Sequence, residues 1–493
     1  MPASDPKAPN WVPEIGGRSG ALYRTIADAL AEDVAAGRLP HGARLPTHRA
    51  LAEALQVTVG TVTRAYAEAE RRGLVDATVG RGTFVQAAAD APWPPSGAPE
   101  DPCFPQMRPV RWQEEVDARA GQAGQGDRGR VDLSVNYPAA SYLAHSLLPG
   151  LDSLQDAARL TEVAGYQPSN GRAEHRAAGT RWLARHGLDA SADDVLLVHG
   201  TQGGLTVALT TLARPGDTVL VEQLTWPGIQ SLGQVNALRL APVASDADGL
   251  EPDALREAAR RTGARIVYCM PTLHNPTNVT MSRQRREALL QVAREEGLLL
   301  IEDDIYGFLA EDAPPPLAAL DPERALYVTS LSKSVAPGLR IGFLKAPSSL
   351  VPRLAASLRA TMLMVSSLSA EIAARLIDSG HAAAAAQAQK QEATARQALA
   401  RQPLAGLSAE TAPTSFHLWL PLPPHWSTAD FVAEAQQRGV AVTPGTAFTV
   451  DGTDPHAVRL CLSAARDRKA LERGLGVVAE LAHTRPEAAM PVV

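Results

Sequence analysis

Between residues 87 and 130 the chain consists largely of Ala, Pro, Gly and charged residues, with seven prolines from Pro92 to Pro109. Proline fixes φ and withholds a backbone donor, and so little apolar surface cannot offset the entropy of ordering. The stretch therefore reads as an extended tether, interrupted at most by a short helix around residues 112–120. Any fold must form separately on either side of it. The expected division is a small domain over 12–86, the linker over 87–130 and a large domain over 131–493. Composition adds exclusions. A net charge of −6 gives no global electrostatic case for nucleic acid, so any such site has to be local. Three cysteines, Cys103, Cys269 and Cys461, lack CxxC spacing, which indicates neither a disulfide framework nor a zinc site, and no metal is expected. The N-terminus lacks the apolar core of a signal peptide and no apolar run reaches membrane-spanning length, so a cytoplasmic location is expected.

Ahead of the tether, Leu22, Ile26, Ala29, Leu30 and Val34 fall at helical spacing. Thr47 is a good N-cap for a short helix with Leu51, Ala52 and Leu55 inward, and Thr58 caps a second. That second helix places Val62, Ala65, Tyr66 and Ala69 inward and Gly60, Thr63 and Arg64 outward. Two short helices joined by a tight turn are the helix-turn-helix layout, whose second helix reads the major groove. Two short strands around Gly80-Arg81-Gly82 follow as a wing. Between Arg18 and Val85 nine arginines face seven carboxylates, a local charge of about +2 in an acidic chain. A small helical domain with polar faces is the plainer alternative.

Beyond the tether, apolar runs at 195–198, 218–221, 265–269, 298–301, 325–328 and 341–344 alternate with amphipathic stretches such as 282–296. This order predicts a parallel sheet covered on both faces, with ligands gathered at the carboxyl ends of its strands. The chemistry-bearing residues stand there. Lys333 follows one run within Ser-Leu-Ser-Lys-Ser-Val-Ala-Pro-Gly-Leu-Arg. Desolvation lowers a lysine's pKa and makes its amine the nucleophile that an aldehyde requires. Arg340, seven residues on, supplies a cation for a phosphate. His199-Gly200-Thr201-Gln202-Gly203-Gly204 follows the first run and opens a helix, a phosphate cup of N–H groups and a hydroxyl. Trp226 could stack on a flat ring, Asn275 offers an amide, and Asp303 follows a buried run where a charge needs a partner. A protonated pyridine nitrogen would be that partner, and Tyr306 could donate to a ring oxygen. Each has a structural alternative as a cap, turn former or core side chain, but an aldehyde, a phosphate and a pyridine together point to pyridoxal phosphate.

The N-terminal motifs Leu-Tyr-Arg-Thr-Ile-Ala, Ala-Gly-Arg-Leu-Pro-His-Gly-Ala-Arg-Leu-Pro-Thr-His-Arg-Ala-Leu-Ala, Thr-Val-Thr-Arg-Ala-Tyr and Gly-Arg-Gly-Thr-Phe-Val resemble the winged helix of GntR-type regulators. The resemblance implies that Arg44, Arg49, Thr58, Thr61, Arg64 and Gly82 lie where that family contacts operator DNA. Val59 and Gly60 stand where the family usually has Arg and a polar residue, so base readout is expected to differ, with Val59 able to meet a thymine methyl. Residues 131–480 resemble fold-type I aminotransferases, and the whole chain resembles the MocR group. This implies an α/β multidomain protein: a winged helix-turn-helix, a linker, then a mixed, mostly parallel sheet with a small C-terminal α+β subdomain.

By the same resemblance Lys333 forms the internal aldimine and Asp303 pairs with the pyridinium nitrogen. Asn275 and Tyr306 contact the ring oxygen, and Trp226 stacks on the ring. Gly200, Thr201, Gln202, Ser330, Ser332 and Arg340 form the phosphate site. Tyr166 reaches the phosphate of a neighbouring subunit, implying a homodimer for which a head-to-tail arrangement is one form. Arg459 binds a substrate α-carboxylate. His199, Asn278 and His175 depart from the pattern, and the first two are expected to reshape the pocket. The function implied is a transcriptional regulator sensing pyridoxal phosphate, an amino acid or an amine through external-aldimine formation at Lys333. A working aminotransferase with a DNA-binding appendage, and a DNA-binding protein with an inert dimerising domain, are the alternatives.

Overall fold

The structure, a computed structural model, describes residues 11–13, 22–35, 38–39, 43–71, 74–78, 82–85, 130–139 and 142–484. Residues 87–129 of the expected linker, its helix, and Gly80 and Arg81 of the wing lie outside the described residues. The chain divides into two compact units, one ending at Phe104 and one beginning at Pro105.

The first unit contains α1 (Leu22–Ala35), α2 (His48–Ala54) and α3 (Val59–Arg71), then the antiparallel strands β1 (Val75–Thr78) and β2 (Gly82–Val85). Both expected caps form. The Thr47 hydroxyl accepts the Ala50 N–H at 3.3 Å and the Thr58 hydroxyl accepts the Thr61 N–H at 3.2 Å. Leu51 and Ala52 of α2 pack with Val62, Ala65, Tyr66 and Ala69 of α3 and with Ile26 and Leu30 of α1. The Tyr66 hydroxyl donates to the Pro46 carbonyl at 2.9 Å, fastening α3 to the entry of α2.

In the second unit, seven strands form one sheet: β3 (Val195–Val198), β4 (Thr218–Glu222), β5 (Arg239–Val243), β6 (Ile266–Cys269), β7 (Leu299–Asp303), β8 (Ala325–Ser330) and β9 (Gly342–Lys345). Their order is β3-β9-β8-β7-β6-β4-β5. The sheet is mixed and mostly parallel, as the family resemblance implies: β9 runs antiparallel to both neighbours, which the apolar runs by themselves do not mark. Residues 331–341 are too few to carry a crossover back to the other end of the sheet. Strand β5 was not expected. It is an edge strand containing Pro242, with mostly half-buried side chains, so it lacks the continuous apolar run of its neighbours.

Alternate strand residues feed two cores. Leu197, Leu220, Val267, Leu300 and Tyr327 pack on one face, and Leu196, Val219, Tyr268, Ile301 and Val328 on the other. Helix α4 (Gly200–Leu212) lies close on the sheet, since a Cβ on Gly204 would stand 2.8 Å from the Val328 side chain. Helix α5 (Arg283–Glu296) is capped by Ser282 and α6 is His381–Arg401. A three-stranded antiparallel sheet of β10 (His417–Pro421), β11 (Thr443–Pro444) and β12 (Ala457–Cys461) packs with α7 (Arg468–His483) around Phe431, Leu471 and Leu475. Residues 131–132 pair with 440–441. No helix among the described residues is long and apolar enough to cross a membrane.

In the full chain, Leu51→Ala should lower the opening free energy of α1–α3 amides by about 2–5 kcal/mol, and Tyr66→Phe by about 1 kcal/mol. Native-state hydrogen exchange reads this unit separately from the larger one.

Candidate functional site

The carboxyl ends of β4, β6, β7 and β8 and the start of α4 converge on a cavity of about 270 Å³. Thr201, Gln202, Trp226, Asn275, Asp303, Tyr306, Ser330, Ser332, Lys333, Arg340 and Arg459 all line it, so residues from six separate sequence stretches meet there. Gly200 stands directly behind it. Its φ is +66°, and a Cβ would lie 3.0 Å from the Arg340 guanidinium, so the glycine lets that cation approach the helix start. Tyr166 is not brought to the cavity; it is 88 % exposed on the surface. A larger neighbouring cavity of about 750 Å³ is lined by Glu222, His274, Asn278 and Glu410 and shares only Met270 with the first.

Asp303 ends β7 with its carboxyl buried. Burial, with Asp304 nearby, pushes it up to about 7, although the Tyr268 hydroxyl donates to Oδ2 at 2.9 Å. Oδ1 is buried without a hydrogen-bond partner. Lys333 is partly buried and donates to the Asn136 carbonyl. Burial, reinforced by Arg459 and Arg340, pulls its amine down to about 8. Burial raises the Tyr306 phenol above its ordinary range, so it stays protonated, and its oxygen accepts from Asn136 Nδ2 at 2.8 Å. Buried Arg459 donates to Asn275 Oδ1 at 2.9 Å and to the Ser134 carbonyl, with its guanidinium 5.0 Å from the centre of the Phe448 ring.

At the other end, Thr201 Oγ1 and Ser332 Oγ are buried without partners. The Arg340 guanidinium donates to the His199 carbonyl at 3.3 Å and has no carboxylate partner among the described residues. Two orphaned hydroxyls, a free guanidinium and the N-terminus of a 13-residue helix fit a phosphate. The orphaned Asp303 Oδ1 fits a protonated ring nitrogen, with Lys333 between the two ends. The residues present therefore fit pyridoxal phosphate.

Two polar groups of this site escaped the sequence reading. Asn136 lies in an irregular segment with no strand-end pattern, and Tyr268 reads as core within an apolar run. Two of the departures prove local. Asn278, at φ +66°, turns its amide to the His417 carbonyl at 3.0 Å and to Ser415, away from the smaller cavity, so the expected reshaping by this residue is corrected. Buried His175 meets Glu371 at 2.9 Å. His199 caps α4, with Nε2 at 3.3 Å from the Met364 carbonyl.

In the first unit Arg44, Arg49, Thr58 and Arg64 are exposed, and Thr61 is half-buried with its hydroxyl 2.9 Å from that of Thr58. None of the three arginines has a carboxylate partner among the described residues. Arg64 lies over the Tyr23 ring at 5.6 Å, Gly82 opens β2, and Val59 is 45 % exposed. Val59 and Arg64 thus sit exposed on the first two turns of α3, the end that enters a groove in helix-turn-helix proteins.

Residues 131–478 match the family described as aminotransferase class I and II, and residues 22–85 the family described as bacterial regulatory proteins, gntR family. The chain is 28% identical over 474 residues to the uncharacterized HTH-type transcriptional regulator YdeF of Bacillus subtilis, covering 96% of each. It is 32% identical over 371 residues to the HTH-type transcriptional regulator TauR of Rhodobacter capsulatus, covering 70% of this chain and 72% of that one. A solved archaeal alanine:glyoxylate aminotransferase shares the fold, with a TM-score of 0.69 at 24% identity over 75% of this chain and 95% of its own.

A lysine pulled down to about 8 has its free amine above that pH and loses it below. Uptake of pyridoxal phosphate by the stripped protein, followed by growth of visible absorbance, should therefore accelerate as pH rises through about 8; a midpoint near 10 would contradict the buried amine. Thr201→Val and Ser332→Ala should each weaken that uptake roughly tenfold or more at equilibrium while sparing phosphate-free pyridoxal.

Proposed function

The chain belongs to the MocR group of GntR-type transcriptional regulators, a gntR-family winged helix joined to a class I and II aminotransferase domain that takes pyridoxal phosphate, and we propose that the large domain serves as its sensor. The observation that carries this reading is the set of orphaned polar atoms around Lys333, in the same chain as a helix-turn-helix whose Arg49 and Arg64 are exposed. When bound, the cofactor supplies an aldehyde that condenses with amines and a pyridinium that withdraws electrons. Lys333 offers the free amine, and Asp303 Oδ1 holds a proton at the ring nitrogen. Tyr306 and Asn275 address the ring oxygen, and Trp226 covers a ring face against water. Thr201, Gln202, Ser330, Ser332, Arg340 and the N–H groups beginning at Gly200 bind the phosphate. Arg459, by exchanging its bonds to Asn275 and Ser134, takes the carboxylate of an amino-acid effector in a forked contact.

An effector that binds one arrangement of the large domain better than another must shift operator affinity by the same coupling energy. Operator contact falls to Arg44, Arg49, Thr58, Thr61, Arg64 and the backbone at Gly82. The module boundaries over 12–86, 87–130 and 131–493 belong to the same reading. So does a homodimer: Tyr166, with Leu148, Leu160 and Leu368, exposes apolar surface that a second copy would cover, placing Tyr166 at the partner's phosphate.

A second reading, a working aminotransferase, is favoured by Arg459 standing beside Asn275 in the cavity. Sustained amino-group transfer from an amino acid to a keto acid would establish it.

Lys333→Ala should abolish the visible absorbance of the loaded protein. Titration with a panel of amino acids and amines, run alongside binding to DNA selected from a random pool, should find a compound that changes both spectrum and affinity in the parent and neither in Lys333→Ala. Absorbance unchanged by the substitution would refute the sensor. Tyr166→Ala should lower cofactor affinity about tenfold, and sedimentation should show a dimer in the parent.

A further inference from the structure

Asn136 forms part of the cavity wall, six residues after the last residue expected in the linker. Both hydrogens of its amide are committed, one to the Tyr306 hydroxyl at 2.8 Å and one to His417 Nδ1 at 2.9 Å. Its backbone carbonyl accepts from Lys333, and its side-chain oxygen is buried without a partner. Burial, with Arg459 nearby, holds His417 well below its ordinary range, so the ring is neutral and its Nδ1 can act as acceptor. The backbone around Asn136 is fixed independently. The Ser134 carbonyl accepts from Thr443 at 2.6 Å and from Arg459, the Leu133 carbonyl from the Cys461 N–H at 2.7 Å, and Gln389 brackets Ala139 at 2.9 and 3.1 Å.

We propose that Asn136 is a positioning residue: by donating to the Tyr306 oxygen it directs the phenol's own hydrogen toward the ring oxygen of the bound cofactor. The argument is one of hydrogen-bond accounting. A phenol oxygen that already receives the amide keeps its single hydrogen for another acceptor. The Tyr306 ring is flanked edge-on by Phe416 and His417, neither of which takes that hydrogen. Lys333, Asp303, Arg459, His417 and Cys461 are the titratable and charged groups around it, and the substitutions below leave all five in place. The inference rests on reading the cavity as the pyridoxal phosphate site.

The test uses the full chain loaded with pyridoxal phosphate and follows the pH titration of its visible band. In Asn136→Ala the Tyr306 oxygen loses a donor, so the phenol becomes a weaker donor and more negative charge stays on the ring oxygen. That charge favours a protonated nitrogen at Lys333, and the titration midpoint should rise by roughly half a pH unit or more. Asn136→Asp keeps the shape of the side chain but sets an acceptor against the phenol, drawing its hydrogen away from the ring; the midpoint should rise further. On a Tyr306→Phe background Asn136→Ala should become silent, and Asn136→Asp should keep only the smaller shift its new carboxylate imposes directly. Unchanged midpoints in both single variants overturn the proposal, as does a shift that persists undiminished without the phenol. A parent protein with no visible band would overturn the cofactor reading as well, so the two failures are distinguishable.

Discussion

A carboxyl buried at the end of a central strand is costly unless something pairs with it, and the end of β7 carries three acidic residues in a row. The pleat sends them in different directions and each meets a different partner. Glu302 faces the fully buried guanidinium of Arg286 at 3.4 Å, and burial still pushes it up to about 8. Asp304 turns to His186 and Tyr327; burial works to raise it, but those hydrogen bonds hold it below the ordinary carboxylate range. Asp303 and Asp304 each keep one oxygen without a hydrogen-bond partner, but of the three only Asp303 lines the cavity. Replacing a buried ionic group by an apolar one commonly costs nothing or stabilises, so stability gives no reason to keep Asp303 as it is. Its partner has to come from outside the chain, and the rest of the site is arranged around that requirement.

The same logic runs through the opposite end of the cavity. Thr201 and Ser332 leave hydroxyls unpaired, and Arg340 adopts a left-handed backbone, φ +53°, that carries its guanidinium over Gly200. Thr201 stands far from Ser332 and Arg340 in the chain, but they come together at strand ends, where a parallel arrangement naturally collects loops. The sheet's right-angled division of labour, apolar faces for the cores and polar ends for the site, makes the arrangement self-consistent.

Much of this was legible before any coordinates. Runs of Val, Leu and Ile mark the buried strands because both faces are covered, and polar residues just past each run mark the site. The helix-turn-helix followed from 3.6-residue periodicity and two threonine caps, both local signals. What stayed hidden was tertiary. Strand β5 carries Pro242 at an edge and lacks an apolar run, and the reversal of β9 depends on connection length. Tyr268 reads as core because most of its ring is core; only its hydroxyl, meeting a residue 35 positions away, belongs to the site. Asn136 reaches Tyr306 across 170 residues, with no pattern of its own to betray it. Asn278 shows the converse: a departure from the expected motif that turned its side chain toward Ser415 and His417 rather than into the cavity.

The segment 131–139 has a consequence for how such a chain can be assembled from parts. It pairs with residues 440–441, lends carbonyls to Arg459 and Cys461, and supplies Asn136 to the cavity wall. The first residues of the aminotransferase match, from 131 on, thus already form part of the cavity wall. A recombination event, or an engineer exchanging DNA-reading modules, has to keep this segment with the downstream domain to inherit an intact pocket. A junction placed after it would deliver a folded sheet with a hole in its wall.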